Sequence, residues 1–439
     1  MRASPSSIES HGRKRLAETA WLLASLSLVA GLLTCVPRTA QAEAASSAGE
    51  SEAFLASAWT DSAVTLRAEN LKTFGDASLS NPIEKLQLRL NQNEYIEDRK
   101  AVLRASPRGL SEYRLMRQLN GQTARLEDLT FRQGLTKALV ERYEALIEYR
   151  FAVEARRIES ALLQNAKRAL SMQSASASNS KASAHDLLKA REAVQGSDFK
   201  LTEAEARVRR LAERLKSLAP SLKTETISFS DWPTPTELSG VVDRYSGGAS
   251  EARASANLET QLAKEHARRM RDSVEYDIQR DTKLIDYVEI SYSERATQES
   301  RYGFEIGINI PGFSGKDFGN QEKARQLVRY EIEAREKERE QQLLFHGARE
   351  SLARSVEAYK SATSQEDSAT EERIRSLARN ADPLLANAID HESLSRELRA
   401  NESAREAYRS YVGLLRAVGA FDEKARINFL SRGLKEIRL

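Results

Sequence analysis

A β-hairpin set directly ahead of a very long helix constrains this chain most. Residues 284–293 read LIDYVEISYS and residues 302–310 read YGFEIGINI. In the second run Tyr302, Phe304, Ile306, Ile308 and Ile310 share one face; Gly303, Glu305, Gly307 and Asn309 share the other. Side chains alternate between the two faces of a strand, so one face is wholly apolar and the other small or polar. A half-buried soluble strand has this pattern. So does a strand of a membrane barrel, with lipid on one side and water on the other. Each run, at about nine residues, is long enough to cross a bilayer when tilted.

The N-terminus reads as an export signal. Arg13, Lys14 and Arg15 precede an apolar stretch, Trp21–Val36, interrupted only by Ser25, Ser27 and Thr34. Ala40-Gln41-Ala42 follows as a small-x-small cleavage site, so residues 1–42 are expected to be a signal peptide. An uncleaved anchor is the alternative, but the stretch is shorter than the roughly 20 residues a helical span needs. Leu32-Leu33-Thr34-Cys35 also resembles a lipoprotein box, with Thr34 where that motif prefers Gly, Ala or Ser. The signal holds Arg2, Arg13, Lys14, Arg15 and Arg38 against Glu9 and Glu18, which equals the +3 of the whole chain. The exported part is therefore close to neutral and offers no basic stripe for a nucleic acid. Cys35 is the only cysteine, so neither disulfides nor thiol chemistry remain after cleavage.

Beyond the signal, residues 43–80 read as an irregular tail, and Asn81-Pro82 opens a helix expected to reach about Ala105. Residues 81–218 form a first helical repeat. Within it, Leu135–Met172 has apolar residues three or four apart, a Ser-rich break follows, and a second helix covers Ala184–Leu218. Residues 219–248 form a linker holding Pro220, Pro233, Pro235, Gly247 and Gly248. A second repeat, 249–423, contains a helix over Ser250–Gln279 and the hairpin at 284–310. A helix from near Gly319 to Arg379 comes next, then a break at Asn380-Ala381-Asp382-Pro383 and a helix from Leu384 to Val418. Residues 424–439 are a C-terminal tail. The similar element order points to an internal duplication. The fold class expected is mainly α, with long coiled-coil-like helical hairpins duplicated in tandem and a short β-hairpin per repeat. The stretch Glu331–Gln342, EIEAREKEREQQ, is polar almost all round, which suits a two-stranded coiled coil or a stave of a hollow cylinder.

The order and spacing of these segments resemble the TolC-like outer-membrane efflux proteins. The resemblance rests on Tyr302–Gly315, YGFEIGINIPGFSG, running into Asn320–Arg325, NQEKAR; on Ala404–Phe421, AREAYRSYVGLLRAVGAF; and on Ser183–Val194, SAHDLLKAREAV. It implies a homotrimer whose chains share a 12-stranded barrel in outer-membrane lipid. A helical tunnel would cross the periplasm, with a tip that opens on docking a periplasmic adaptor and an inner-membrane transporter. On that reading Tyr302, Phe304, Ile306, Ile308 and Ile310 face the membrane and Glu305 and Asn309 the lumen. Asp186, Asn380 and Asp382 then stand at the periplasmic tip; Asp186 and Asp382 also suit helix caps. The function implied is a passive conduit for efflux or type I secretion. The alternative is a periplasmic coiled-coil structural or adaptor protein without a pore.

The resemblance requires a matching hairpin in the first repeat, and residues 108–133 are the expected place. Leu110–Leu119 and Ala124–Phe131 carry charges on both faces, with Asn120-Gly121 as a turn between them. A degenerate strand pair, or no hairpin at all, is the expectation there; Leu115, Leu119, Leu126 and Leu129 also fit helical spacing. No enzyme, metal or cofactor motif is complete. His391-Glu392 begins HExxH, but Ser395 stands where the second histidine belongs, and Ile310 breaks the phosphate-loop spacing of Gly312–Lys316.

Overall fold

A computed structural model describes residues 49–75, 81–93, 98–178, 184–241, 250–295, 298–308, 317–363, 373–374, 376–377 and 382–439. The expected signal peptide, Ile310, Asn309 and Asn380 lie outside the described residues.

The chain opens with α1 (Glu50–Ala56), a 3-10 turn (Ser57–Thr60) and α2 (Ser62–Gly75). Strands β1 (Ile83–Asn93) and β2 (Asp98–Pro107) lead into α3 (Leu110–Ser178), and α4 (Ala184–Leu218) returns. After the linker come α5 (Ser250–Ser255) and α6 (Leu258–Asp281), then β3 (Ile285–Arg295) and β4 (Gln298–Ile308). Helices α7 (Asp317–Thr363), α8 (Pro383–Ala417) and the short α9 (Ala420–Glu423) complete the order. Each half thus has a strand hairpin feeding a long helix that folds back on a shorter one. Helices α3 and α4 pack together, as do α7 and α8; α8 joins the two pairs along α3.

Three expectations fail, and the reasons are physical. Residues 43–80 are not simply an irregular tail, because 50–75 is largely helical and Phe54 and Leu55 are buried. The stretch from Asn81 to Ala105 is not a helix; it holds β1 and most of β2. Leu86, Leu88 and Leu90 alternate with Lys85, Gln87 and Arg89, and this period of two overrides the helix-favouring residue types. Residues 110–133 are not a degenerate hairpin but the start of α3, a continuous helix of 69 residues, about 100 Å long. Its charges find partners across a polar seam. Glu112 is fully buried, accepts from the Gly109 amide at 3.1 Å and from the Tyr276 hydroxyl at 3.4 Å. Gln118 donates to Asp272 at 2.6 Å, and Gln122 donates to the same carboxylate. Asn120-Gly121 sits in this helix with open space around Gly121.

The core is a belt around the middle of the rods. The 135–152 stretch of α3 packs there with α1, the end of α4, the linker, Phe345 of α7, the end of α8 and the C-terminal segment. Arg142, 1% exposed, ties several of these together. Its guanidinium reaches the Ser57 hydroxyl at 2.8 Å, the Ser57 and Leu218 carbonyls at 3.2 and 3.3 Å, and Asp61 at 3.3 Å. Tyr143 accepts from the Phe429 amide and donates to the Ile427 carbonyl, so the C-terminal tail is held against α3. The linker inserts Trp232 against Tyr408, and the Arg150 guanidinium lies 4.7 Å from the Trp232 ring centre. Toward the far end, Asn165 and Asn387 exchange amide hydrogen bonds at 3.0 and 3.3 Å, joining α3 to α8.

Glu159 of α3 is buried and one carboxylate oxygen has no protein partner. Burial raises its pKa above the ordinary glutamate value, with Lys200 opposing and Glu402 adding to the shift. A carboxyl whose pKa is raised by folding favours the fold while protonated and loses that contribution as pH rises through its folded pKa. Glu159→Gln is therefore predicted to raise the unfolding temperature at pH 7. The gain fades as the pH falls toward the unperturbed glutamate value of about 4.3. Thermal unfolding of both forms across pH checks this.

Candidate functional site

The two hairpins form one antiparallel sheet in the order β1-β2-β3-β4. Its register lines up the side chains in rows. Leu86, Ala105, Val288 and Ile306 make one row; Leu88, Leu103, Ile290 and Phe304 the next; Leu90, Ala101, Tyr292 and Tyr302 the third. Every member is apolar or a tyrosine, and all lie on the same face. That face is bare: Leu90 is 72% exposed, Phe304 68% and Tyr302 82%. Tyr302, Phe304, Ile306 and Ile308 take the face that alternation predicts, and the first hairpin supplies the Leu86, Leu88, Leu90 and Leu103 that complete it. The signal for those leucines was the same period of two.

The opposite face is polar and covered by its own side chains. Arg104 donates to Glu289 at 2.8 Å and lies 3.8 Å from the Tyr287 ring centre. The Tyr287 hydroxyl donates to Glu305 at 2.5 Å. Val102, paired with Arg89 on one side and Ser291 on the other, is only 7% exposed. Two glycines make this close packing fit. A Cβ at Gly303 would stand 2.5 Å from the Ser291 hydroxyl, and one at Gly307 would run into the Tyr287 ring. Glu305 thus lies on the polar face opposite Ile306, as the alternation requires.

The strand-to-helix junctions are ionic. Lys283 Nζ is 2.8 Å from Glu84 and 3.9 Å from Asp286, and Ser111 donates to Gln279 at 3.0 Å. At the opposite end of the rods stand the two remaining predicted residues. Asp382 caps α8, accepting from the Leu384 and Leu385 amides at 3.0 and 3.2 Å. Asp186 is exposed in the first turn of α4. The Asn165–Asn387 contact places the start of α8 beside α3 about 80 Å along that helix from its sheet end. Sheet and helical ends are therefore separated by nearly the full length of the molecule.

Among the described residues, no group of three or more His, Cys, Asp and Glu is placed to hold a metal ion. No described helix is long and apolar enough to cross a membrane. The features that distinguish this chain are the two-faced sheet and the rods that carry it.

No protein-family model and no curated protein sequence matches the chain. Solved structures do. CusC, described with transmembrane channel formation, aligns at a TM-score of 0.63 over 84% of this chain and 92% of its own, with 10% identity. The outer membrane protein VceC from Vibrio cholerae gives 0.60 over 84% and 96%, with 11% identity. The open MtrE outer membrane channel of Neisseria gonorrhoeae gives 0.58 over 84% and 89%, with 12% identity. The fold is that of the TolC-like outer-membrane channels. At these identities the likeness is one of architecture, and it extends over both repeats.

The glycines of the polar face give a direct test of this sheet. Gly307→Val is predicted to lower the fraction of protein recovered in folded form, since overpacking of this kind costs about 1–3 kcal/mol per chain. Adding Tyr287→Ser, which removes the ring above the glycine, is predicted to restore it. The ratio of protease-resistant to total protein measures both.

Proposed function

We propose that this chain is the outer-membrane channel component of an export system, a passive conduit for efflux or type I secretion. Three copies close their sheets into one twelve-stranded barrel. The observation that carries this reading is the sheet itself. Strands β1 and β4 are both edges within the chain, and the face between them is apolar and bare. In lipid an open edge leaves backbone groups without partners, so a sheet that enters a bilayer must close. Four strands are too few, because the smallest barrels have about eight. Copies of the same chain supply the missing neighbours, and the number three follows the resemblance to TolC-like proteins.

On this reading the rows from Leu86 to Ile306, Leu88 to Phe304 and Leu90 to Tyr302 face lipid. Arg89, Arg104, Glu289 and Glu305 face water in the lumen. The strands alternate as barrel strands do, apolar outward and polar inward. The rods extend from the membrane into the periplasm, and Asp186 and Asp382, with Asn380, stand at the far mouth. A periplasmic adaptor and an inner-membrane transporter are the expected partners at that end. A conduit of this kind acts by bore and charge rather than by a reacting group.

The test is fractionation followed by electrophoresis without heating. The mature protein is predicted to remain with outer membranes after carbonate and salt washes, and to migrate as a trimer that falls to monomer on boiling. Ile306→Arg places a cation on the lipid face at about 2–4 kcal/mol per chain, three times over in a trimer, and should abolish the trimer band. Glu305→Gln keeps an acceptor for Tyr287 and should leave the band unchanged. Wild-type protein recovered as a soluble periplasmic monomer would establish the adaptor-like alternative instead.

A further inference from the structure

Charge is unevenly spread over the polar face of the sheet. Its residues fall into rows by the same register as the apolar ones. In the row of Gln87, Arg104, Glu289 and Glu305 the Arg104 guanidinium is matched by Glu289. The next row toward the hairpin turns is Arg89, Val102, Ser291 and Gly303, and the one after it is Asn91, Lys100, Ser293 and Arg301. These two adjacent rows hold three cations and no acid. Arg89, Lys100 and Arg301 are all exposed. None of them forms an ion pair among the described residues, and Arg89 donates to an uncharged acceptor, Gln87, at 3.3 Å. On the helix side, Lys85 adds a further cation to this face. On the turn side, Asp98 stands opposite Arg295 in the register and the two add no net charge, while Glu299 lies on β4 two residues before Arg301.

Twelve strands about 4.8 Å apart and tilted about 40° enclose a cylinder of backbone radius about 12 Å. Arginine and lysine side chains reach inward from that wall. The bore they leave is comparable with the Debye length, about 8 Å at physiological salt, so fields from opposite walls overlap before they are screened. Three unpaired cations per chain become nine in a ring of three chains, in rows about 7 Å apart along the strands. Rings of arginine and lysine make a pore favour anions. We propose that these two rows form an anion-selecting belt in the lumen, and that the solutes this conduit favours carry net negative charge. The proposal rests on the conduit reading above and adds a substrate class to it.

The experiment is a reversal-potential measurement on the purified trimer in planar bilayers under a KCl gradient. Chloride is predicted to be favoured over potassium about threefold near 0.1 M salt, the preference falling toward one at 1 M, where the Debye length is about 3 Å. The triple variant Arg89→Gln/Lys100→Gln/Arg301→Gln is expected to abolish the preference. Lys100→Gln and Arg301→Gln singly should give intermediate values, which keeps the test available if the triple variant does not assemble. Where the tip holds the channel shut, Asn91→Cys reads the same belt from the outer mouth. An anionic thiosulfonate reagent, its rate normalised to that with a free thiol, is predicted to react there about fivefold faster than a cationic one, and no faster in the triple variant. A preference for potassium, equal thiol rates, or a chloride preference that the substitutions leave in place would overturn the anion belt while the trimer, and the conduit reading with it, stands. Protein that gives no heat-modifiable trimer would remove both.

Discussion

A sheet with a bare apolar face and two unpaired edges cannot remain alone in lipid, and the architecture of this chain can be read from that constraint. Backbone amides and carbonyls at β1 and β4 need partners, and the chain has no further described strand to offer. The duplication addresses half of the problem by bringing two hairpins together through the β2–β3 pairing, from Asp98 opposite Arg295 to Ala105 opposite Val288. On the proposed reading, other copies of the chain supply the remaining half. The long helices follow from the same arrangement. Each hairpin passes into a rod, and rods packed along narrow seams, with polar surface on the rest of their circumference, suit a wetted tunnel better than a compact core.

Narrow seams give such rods little hydrophobic hold, so the chain concentrates its packing in one belt. Arg142 gathers the 3-10 turn after α1 and the end of α4 around α3, while Tyr143 and Tyr411 fix the C-terminal segment by its backbone. Elsewhere the seams are specified by polar pairs. Gln118 and Gln122 meet Asp272 near the sheet, and Asn165 meets Asn387 toward the far end. Buried polar pairs of this kind fix the register of helices that would otherwise slide, because a shift leaves donors unpaired.

The second hairpin was legible because residue type and period agree there: Ile, Tyr and Phe favour strands and also alternate with Gly and Glu. In the first hairpin they disagree. Leu86 to Leu90 are set among Lys, Gln and Arg, all good helix formers, and only the period of two marks a strand. Asn120-Gly121 misleads in the opposite direction. It is a strong turn signal, yet a glycine costs only about 1 kcal/mol in a helix, and the seam with α6 outweighs that. The polar partners that make 110–133 helical come from Asp272 and Tyr276, about 150 residues away, which no local pattern reveals. Of the tip residues, Asp382 could be read as a cap from Asp-Pro at a helix start, and it is one.

The claim on which all else depends is that β1 of one copy pairs with β4 of the next. Cys35 is the chain's only native cysteine, so paired cysteines can be placed cleanly: one at Leu88, the other in turn at Tyr302, Phe304 and Ile306. Oxidation in membranes, followed by electrophoresis without reductant, is predicted to give covalent dimers and trimers for at least one placement, with nothing larger. Monomer at every placement, or a ladder that continues past three, would contradict a closed ring of three chains.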